Sequence, residues 1–88
     1  MSSYQFVLVT DHAGNLKPER MGKTIVNPVI LSNRSLYAEY TDRHGRYFRS
    51  SFVLNCHLVD DDTIAVITLN SIYYLRRITT QDNGAEEQ

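Results

Sequence analysis

The strongest constraint on the fold is the stretch at residues 35–54, SLYAEYTDRHGRYFRSSFVL. Leu36, Ala38 and Tyr40 alternate on one side of a polar reversal, DRHGR, at residues 42–46, and Phe48, Ser50, Phe52 and Leu54 alternate on the other. Successive side chains on a strand point to opposite faces. A period of two on both sides of a Gly-containing reversal therefore predicts a β-hairpin.

The rest of the chain extends this pattern. Residues 4–10 (YQFVLVT) are rich in β-branched and aromatic residues and predict a strand. DHAGN at residues 11–15 breaks it, with Gly and Asn suited to positive φ. Residues 16–23 (LKPERMGK) read as a loop, with one helical turn after Pro18, stopped by Gly22, as the alternative. Residues 24–31 (TIVNPVIL) form a second strand, in which Pro28 lacks a ladder donor and belongs at an edge or bulge. After the hairpin, residues 55–59 (NCHLV) lead to Asp60, Asp61 and Asp62. Three adjacent carboxylates cannot be buried unpaired, so they mark a solvent-facing turn.

Residues 63–69 (TIAVITL) are apolar on both faces, as in a central strand or one covered by a partner. Residues 72–78 (IYYLRRI) admit a short helix capped by Asn70 or Ser71, or a further strand. Ile and paired Tyr favour the sheet, and no acid occupies the first turn of the helical alternative. Residues 1–78 thus read as a single β domain, and residues 79–88 (TTQDNGAEEQ) as a disordered acidic tail. Five or six short strands separated by frequent turns predict an all-β fold. The simplest form is a small barrel or a strongly curled antiparallel sheet around the central hairpin.

Length and composition narrow the setting. Eighty-eight residues, 42% hydrophobic and 22% charged, suit one globular domain with a modest core. No long helix is available to cover the sheet, so burial against a second copy is expected. Cys56 is the single cysteine, which rules out an intrachain disulfide and suits a reducing compartment. The start, MSSYQF, lacks the basic and apolar regions of a signal peptide. No apolar run approaches the roughly 20 residues of a membrane-spanning helix. The expectation is a cytoplasmic protein with no membrane partner.

A formal net charge of -1 argues against a surface that is wholly a phosphate-binding field. Between His12 and His57, however, seven Lys/Arg face three acids, a net of +4, and the remainder carries -5. Such a gradient can steer an anionic ligand to one side. The hairpin tip is the leading candidate site: Arg43, His44, Arg46 and Arg49 lie beside Tyr47, with Lys23 as a secondary member. Guanidinium forks suit phosphate and phenol rings stack on bases. Tyr47 and Arg49 fall on the same strand face. Exposed Arg and Tyr also serve as ordinary cover for apolar strand surface, and no nucleic-acid motif accompanies the cluster.

The other polar groupings are weaker. Lys17, Arg20 and Lys23 share a loop in which Gly22-Lys23-Thr24 matches the end of GxxxxGK[ST], but Lys17 stands where the first glycine belongs. The loop reads as solvated. Cys56 and His57 are neighbours on a strand, point to opposite faces and do not form a dyad, so a buried Cys beside a surface His is expected. Asp60–Asp62 lack the glycine spacing of a calcium loop, and His12, His44 and His57 lack the spacing of a zinc site. Glu39 with His44, aided by a nearby arginine, supplies an acid–base reading of the kind small ribonucleases use.

The segment Thr68-Leu69-Asn70-Ser71-Ile72-Tyr73-Tyr74-Leu75 resembles the TxNSxYxL segment near the carboxy terminus of short bacteriophage-encoded β proteins. The resemblance covers eight residues and departs only by placing an additional Tyr at position 74. It implies a viral accessory origin and carries no activity with it. Together these features lead to the expectation of a non-enzymatic, cofactor-free binding protein in the host cytoplasm. Such a protein would act as an inhibitor that occludes a host protein, or sequester an anionic nucleotide. A single-stranded nucleic-acid-binding module is the alternative, and a small ribonuclease the third reading.

Overall fold

Six strands account for nearly all the regular structure in a computed structural model, which describes residues 2–41 and 45–78. They are β1 (Ser3–Thr10), β2 (Thr24–Ile30), β3 (Ser35–Tyr40), β4 (Tyr47–Leu58), β5 (Thr63–Thr68) and β6 (Ile72–Arg77). Each strand pairs antiparallel with the next, and β6 returns to β1 through pairs from Tyr4↔Arg77 to Thr10↔Ile72, closing a barrel. The chain is therefore all-β, as the alternation predicts. Residues 72–78 take the strand reading, and the expected tail at residues 79–88 lies outside the described residues. No helix among the described residues is long and apolar enough to cross a membrane.

Closing a ring from six short strands requires sharp local bending, and the register shifts supply it. Bulges extend the wall on one strand and bend it. They lie between Phe6 and Leu8 in β1, Val26 and Val29 in β2, Val53 and Asn55 in β4, and on the β3–β4 seam between Ser35 and Tyr37. The β2 bulge contains Asn27 at φ 51° followed by Pro28, so the residue with no amide proton sits where the ladder is already interrupted. The β5–β6 reversal is equally specified. Thr68 Oγ1 accepts from the Ser71 amide (3.1 Å) and donates to the Ser71 carbonyl (2.9 Å), with Thr68 fully buried.

One sequence expectation changes. β4 runs on through residues 55–58, pairing with β5 from Asn55↔Ile67 to Leu58↔Ile64. Cys56 is consequently exposed, not buried, because this half of β4 runs past the barrel wall.

A six-stranded barrel is narrow enough for side chains to fill it. Phe6, Phe48 and Tyr73 meet at the centre, with ring centroids 4.9 Å (Phe6–Phe48), 5.1 Å (Phe48–Tyr73) and 5.8 Å (Phe6–Tyr73) apart. Ile25, Leu36, Val53 and Leu75 pack around them. Tilted and edge-on ring pairs of this kind add about 0.5–1.5 kcal/mol each beyond area burial.

The β1–β2 connection is the longest among the described residues, and it is built rather than loose. The Asp11 carboxylate accepts from the amides of Ala13 and Asn15 (2.9 Å each) and from Asn15 Nδ2 (3.0 Å). The Asn15 side chain, followed by its backbone amide, holds the Asp11 carboxyl below the ordinary carboxylate range. A carboxyl lowered on folding stabilises the folded state above the unfolded value of 3.8, and that contribution is lost as pH falls through the folded value. Asp11→Ala is therefore expected to lower the Tm at neutral pH, and the gap from wild type to narrow once the pH falls below the unfolded value of 3.8. Thermal melts at neutral pH and below that value check this, and a gap of equal size at both contradicts it.

Candidate functional site

A polar cleft between the β1–β2 connection, β4 and the β5–β6 turn collects cations. After Asp11 the chain is tied back to β1 by the Lys17 amide, which donates to the Val9 carbonyl (2.8 Å). Pro18, pre-set at φ suitable for a tight turn, opens a single 3-10 turn at Pro18–Arg20, closed by the Met21 amide on the Pro18 carbonyl (3.1 Å). Gly22, at φ 87°, then lets its amide reach the Phe6 carbonyl (2.7 Å). These anchors hold Lys17, Glu19 and Arg20 across the end of the barrel.

There the loop meets β4 and the β5–β6 turn around a cleft of about 230 Å³. Lys17, Arg20 and Arg49 line it together, with hydroxyl and amide groups from Ser51, Asn70 and Ser71. Lys17 Nζ donates to Ser71 Oγ (2.7 Å) and to the Asn70 carbonyl (3.2 Å), fixing the ammonium on the turn. Arg20 places its guanidinium over the Phe48 ring, 5.3 Å from the centroid. That packing orients a planar fork without consuming its donors. Arg20 Nε is buried and has no hydrogen-bond partner in the protein. An unmet buried donor on a charged group costs roughly 1–3 kcal/mol or more. Arg49 is exposed and forms no ion pair among the described residues; the one ion pair there joins Arg77 to Asp62 (3.7 Å). Glu19 is the single carboxylate on the lining, so three cations against one anion leave a formal +2.

The sequence-derived candidates separate. Arg49 belongs to this cleft. Arg46 is exposed outside it. Tyr47 lies on the outer wall, 52% exposed and stacked on Tyr37 with centroids 5.3 Å apart and planes at 16°. Lys23 reaches over the Tyr40 ring at 6.0 Å. Arg43 and His44 lie outside the described residues, as does the Glu39–His44 pairing that rests on His44. The partnership of Arg49 with Lys17 and Arg20 is what the sequence reading missed. Its available signal was a second basic cluster punctuated by Pro18 and Gly22, read there as solvated.

His12 and the cysteine are accounted for structurally. His12 Nε2 donates to the Thr68 carbonyl (2.7 Å), which joins the β1–β2 connection to the β5–β6 turn. Cys56 and His57 pair with Val66 and Ala65 respectively, on opposite faces of β4. Partial burial pushes the Cys56 thiol above its ordinary range, which makes it a poor nucleophile. Set against protein-family models, curated proteins and solved structures, the chain matches none.

Proposed function

We propose that the protein is a non-enzymatic binding module that captures a small phosphate-bearing ligand at the polar mouth of its barrel. One observation carries the reading: Lys17, Arg20 and Arg49 line one cleft whose only carboxylate is Glu19. Charge-assisted hydrogen bonds from arginine and lysine to phosphate are about twice as strong as neutral ones.

Size decides which part of a ligand enters. Pockets that enclose whole small molecules usually measure about 300–1,000 Å³. At about 230 Å³ the cleft takes a phosphate or diphosphate and leaves a nucleoside outside. Affinity should then follow phosphate number and ignore the base. The resemblance of the segment at residues 68–75 to phage-encoded proteins supports a role as an accessory factor that sequesters such a ligand in a host cell. The specific feature favouring a single-stranded nucleic-acid binder is the Tyr37–Tyr47 stack on the outer wall.

A thermal-shift and calorimetry panel separates these. Inorganic phosphate, pyrophosphate, ADP, GDP and a single-stranded oligonucleotide are compared at low and high salt. Pyrophosphate, ADP and GDP should raise the Tm alike, by mass action on the folded state. A response to the oligonucleotide alone, with steep salt dependence, favours the outer wall instead. No response to any anion rejects the proposal.

A further inference from the structure

Although the barrel closes, the end of β4 has a strand partner on one side only among the described residues. The β3–β4 seam ends at Ser35↔Phe52, where the Val53 amide donates to the Arg34 carbonyl (2.8 Å). Arg34 Nε and Nη2 cap the Val53 carbonyl (3.3 Å each). Beyond that point β4 pairs with β5 alone through Leu58. The Val59 amide bonds the Thr63 carbonyl (2.8 Å), so alternation along an antiparallel pair assigns His57 and Asn55 to the β5 ladder. Cys56 and Leu58 therefore turn their amides and carbonyls to the open side. Asn55 Oδ1 accepts from the Cys56 amide (2.8 Å), a short local plug that another strand can displace.

This edge lacks the usual protections. Natural edges carry Lys, Pro or inward charges. From Ser50 to Val59 the sequence SSFVLNCHLV holds no Lys, Arg, Asp, Glu or Pro. Apolar side chains flank it, with Leu58 71% exposed and Leu54 50% exposed. Across the gap Val29, Ile30 and Leu36 join Cys56 around an apolar cleft of about 170 Å³. A dry cavity of about 150 Å³ holds a six-carbon ring, so this one accepts a single leucine side chain.

We infer that the open edge of β4 pairs antiparallel with the same edge of a second copy, forming a two-fold dimer centred on His57. This register is the one in which the two outward-facing residues meet reciprocally. Cys56 opposes Leu58 of the second copy and Leu58 opposes its Cys56, giving four backbone hydrogen bonds. Directly opposed residues share a face, so Leu58 of the second copy lies over Cys56 at the mouth of the apolar cleft. The same register carries the acidic turn Asp60–Asp62 toward Phe52 and Arg34 of the second copy. Arg34 already sits over Phe52, 5.6 Å from the ring centroid, so the charges are complementary. Residues 79–88 are a poor occupant of this cleft, since Ala85 is their only apolar side chain. A contact of one patch with itself is the isologous form that closes without polymerising.

Sedimentation equilibrium of the full chain from about 10 μM to about 1 mM tests this. A monomer–dimer equilibrium is expected. Leu58→Lys, at an exposed position that leaves the barrel intact, should weaken it at least about tenfold, with unchanged far-UV circular dichroism. The register is tested separately in a Cys56→Ser, His57→Cys variant. Non-hydrogen-bonded partners lie about 4.5 Å apart at Cα, within disulfide reach, so oxidation should give a covalent dimer. A wild type that stays monomeric throughout the range overturns the inference. So does a dimer that neither responds to Leu58→Lys nor crosslinks through position 57.

Discussion

Phe48→Ala is expected to lose about 3–5 kcal/mol of stability, enough to remove most of the fold of a domain this small. Phe48 is 1% exposed and touches Phe6, Tyr40 and Tyr73, so truncation opens the centre of the barrel. The surrounding strands form a closed ring and cannot collapse inward to fill the space. Phe48→Leu, which keeps most of the volume, should cost about half as much. Urea unfolding of the two variants checks both the size and the order. Equal losses would mean that volume alone recovers nothing and that the ring contacts carry the whole effect. Phe48 also forms the platform for Arg20, so Phe48→Leu should weaken phosphate binding while the barrel persists.

Arg20→Ala is the second large effect. Loss of charge-assisted bonds worth about 1.5–3 kcal/mol predicts a drop in pyrophosphate affinity of roughly 10- to 150-fold. Stability should change little or rise, because the substitution also removes the buried, unmatched Nε donor. Arg20→Lys should not restore binding, since an ammonium has neither the fork nor the Nε donor. Glu19→Gln should act in the opposite direction and tighten binding by removing the one carboxylate on the lining. Calorimetric titration of the three variants measures these changes. An affinity indifferent to Arg20 would place the ligand elsewhere on the molecule.

How much of this was legible in the sequence depends on the range of the interaction. The strands and the all-β class follow from alternation and β-branched content, which are local. Pro28 correctly marks a bulge for the same reason: a missing amide proton is a property of one residue. Asn55, Cys56 and His57 carry no alternating apolar signal, so the length of β4 is not legible locally. They are held in the sheet by the apolar partners Ile64, Val66 and Ile67 across the ladder. Closure of β6 onto β1 joins distant parts of the chain, and no local pattern encodes it.

The site divides in the same way. Arg49 was visible as a cation on an exposed strand face, together with Tyr47. The barrel, however, brings Arg49 to the mouth, where Lys17 and Arg20 arrive on a turn from a different part of the chain. Tyr47 shares a strand face with Arg49 but stacks on Tyr37 farther along β4, so position along the strand decides which residue lines the cleft.

The most direct test of the anion-receiving mouth is a titration of 15N-labelled protein with pyrophosphate, followed by two-dimensional NMR. The proposal predicts that the Arg20 Nε resonance shifts first and furthest, with the Arg49 side chain and the Ser71 amide moving in parallel, while the Tyr47 amide stays in place. Movement confined to Arg46 and Tyr47, or no movement at millimolar pyrophosphate, would contradict it.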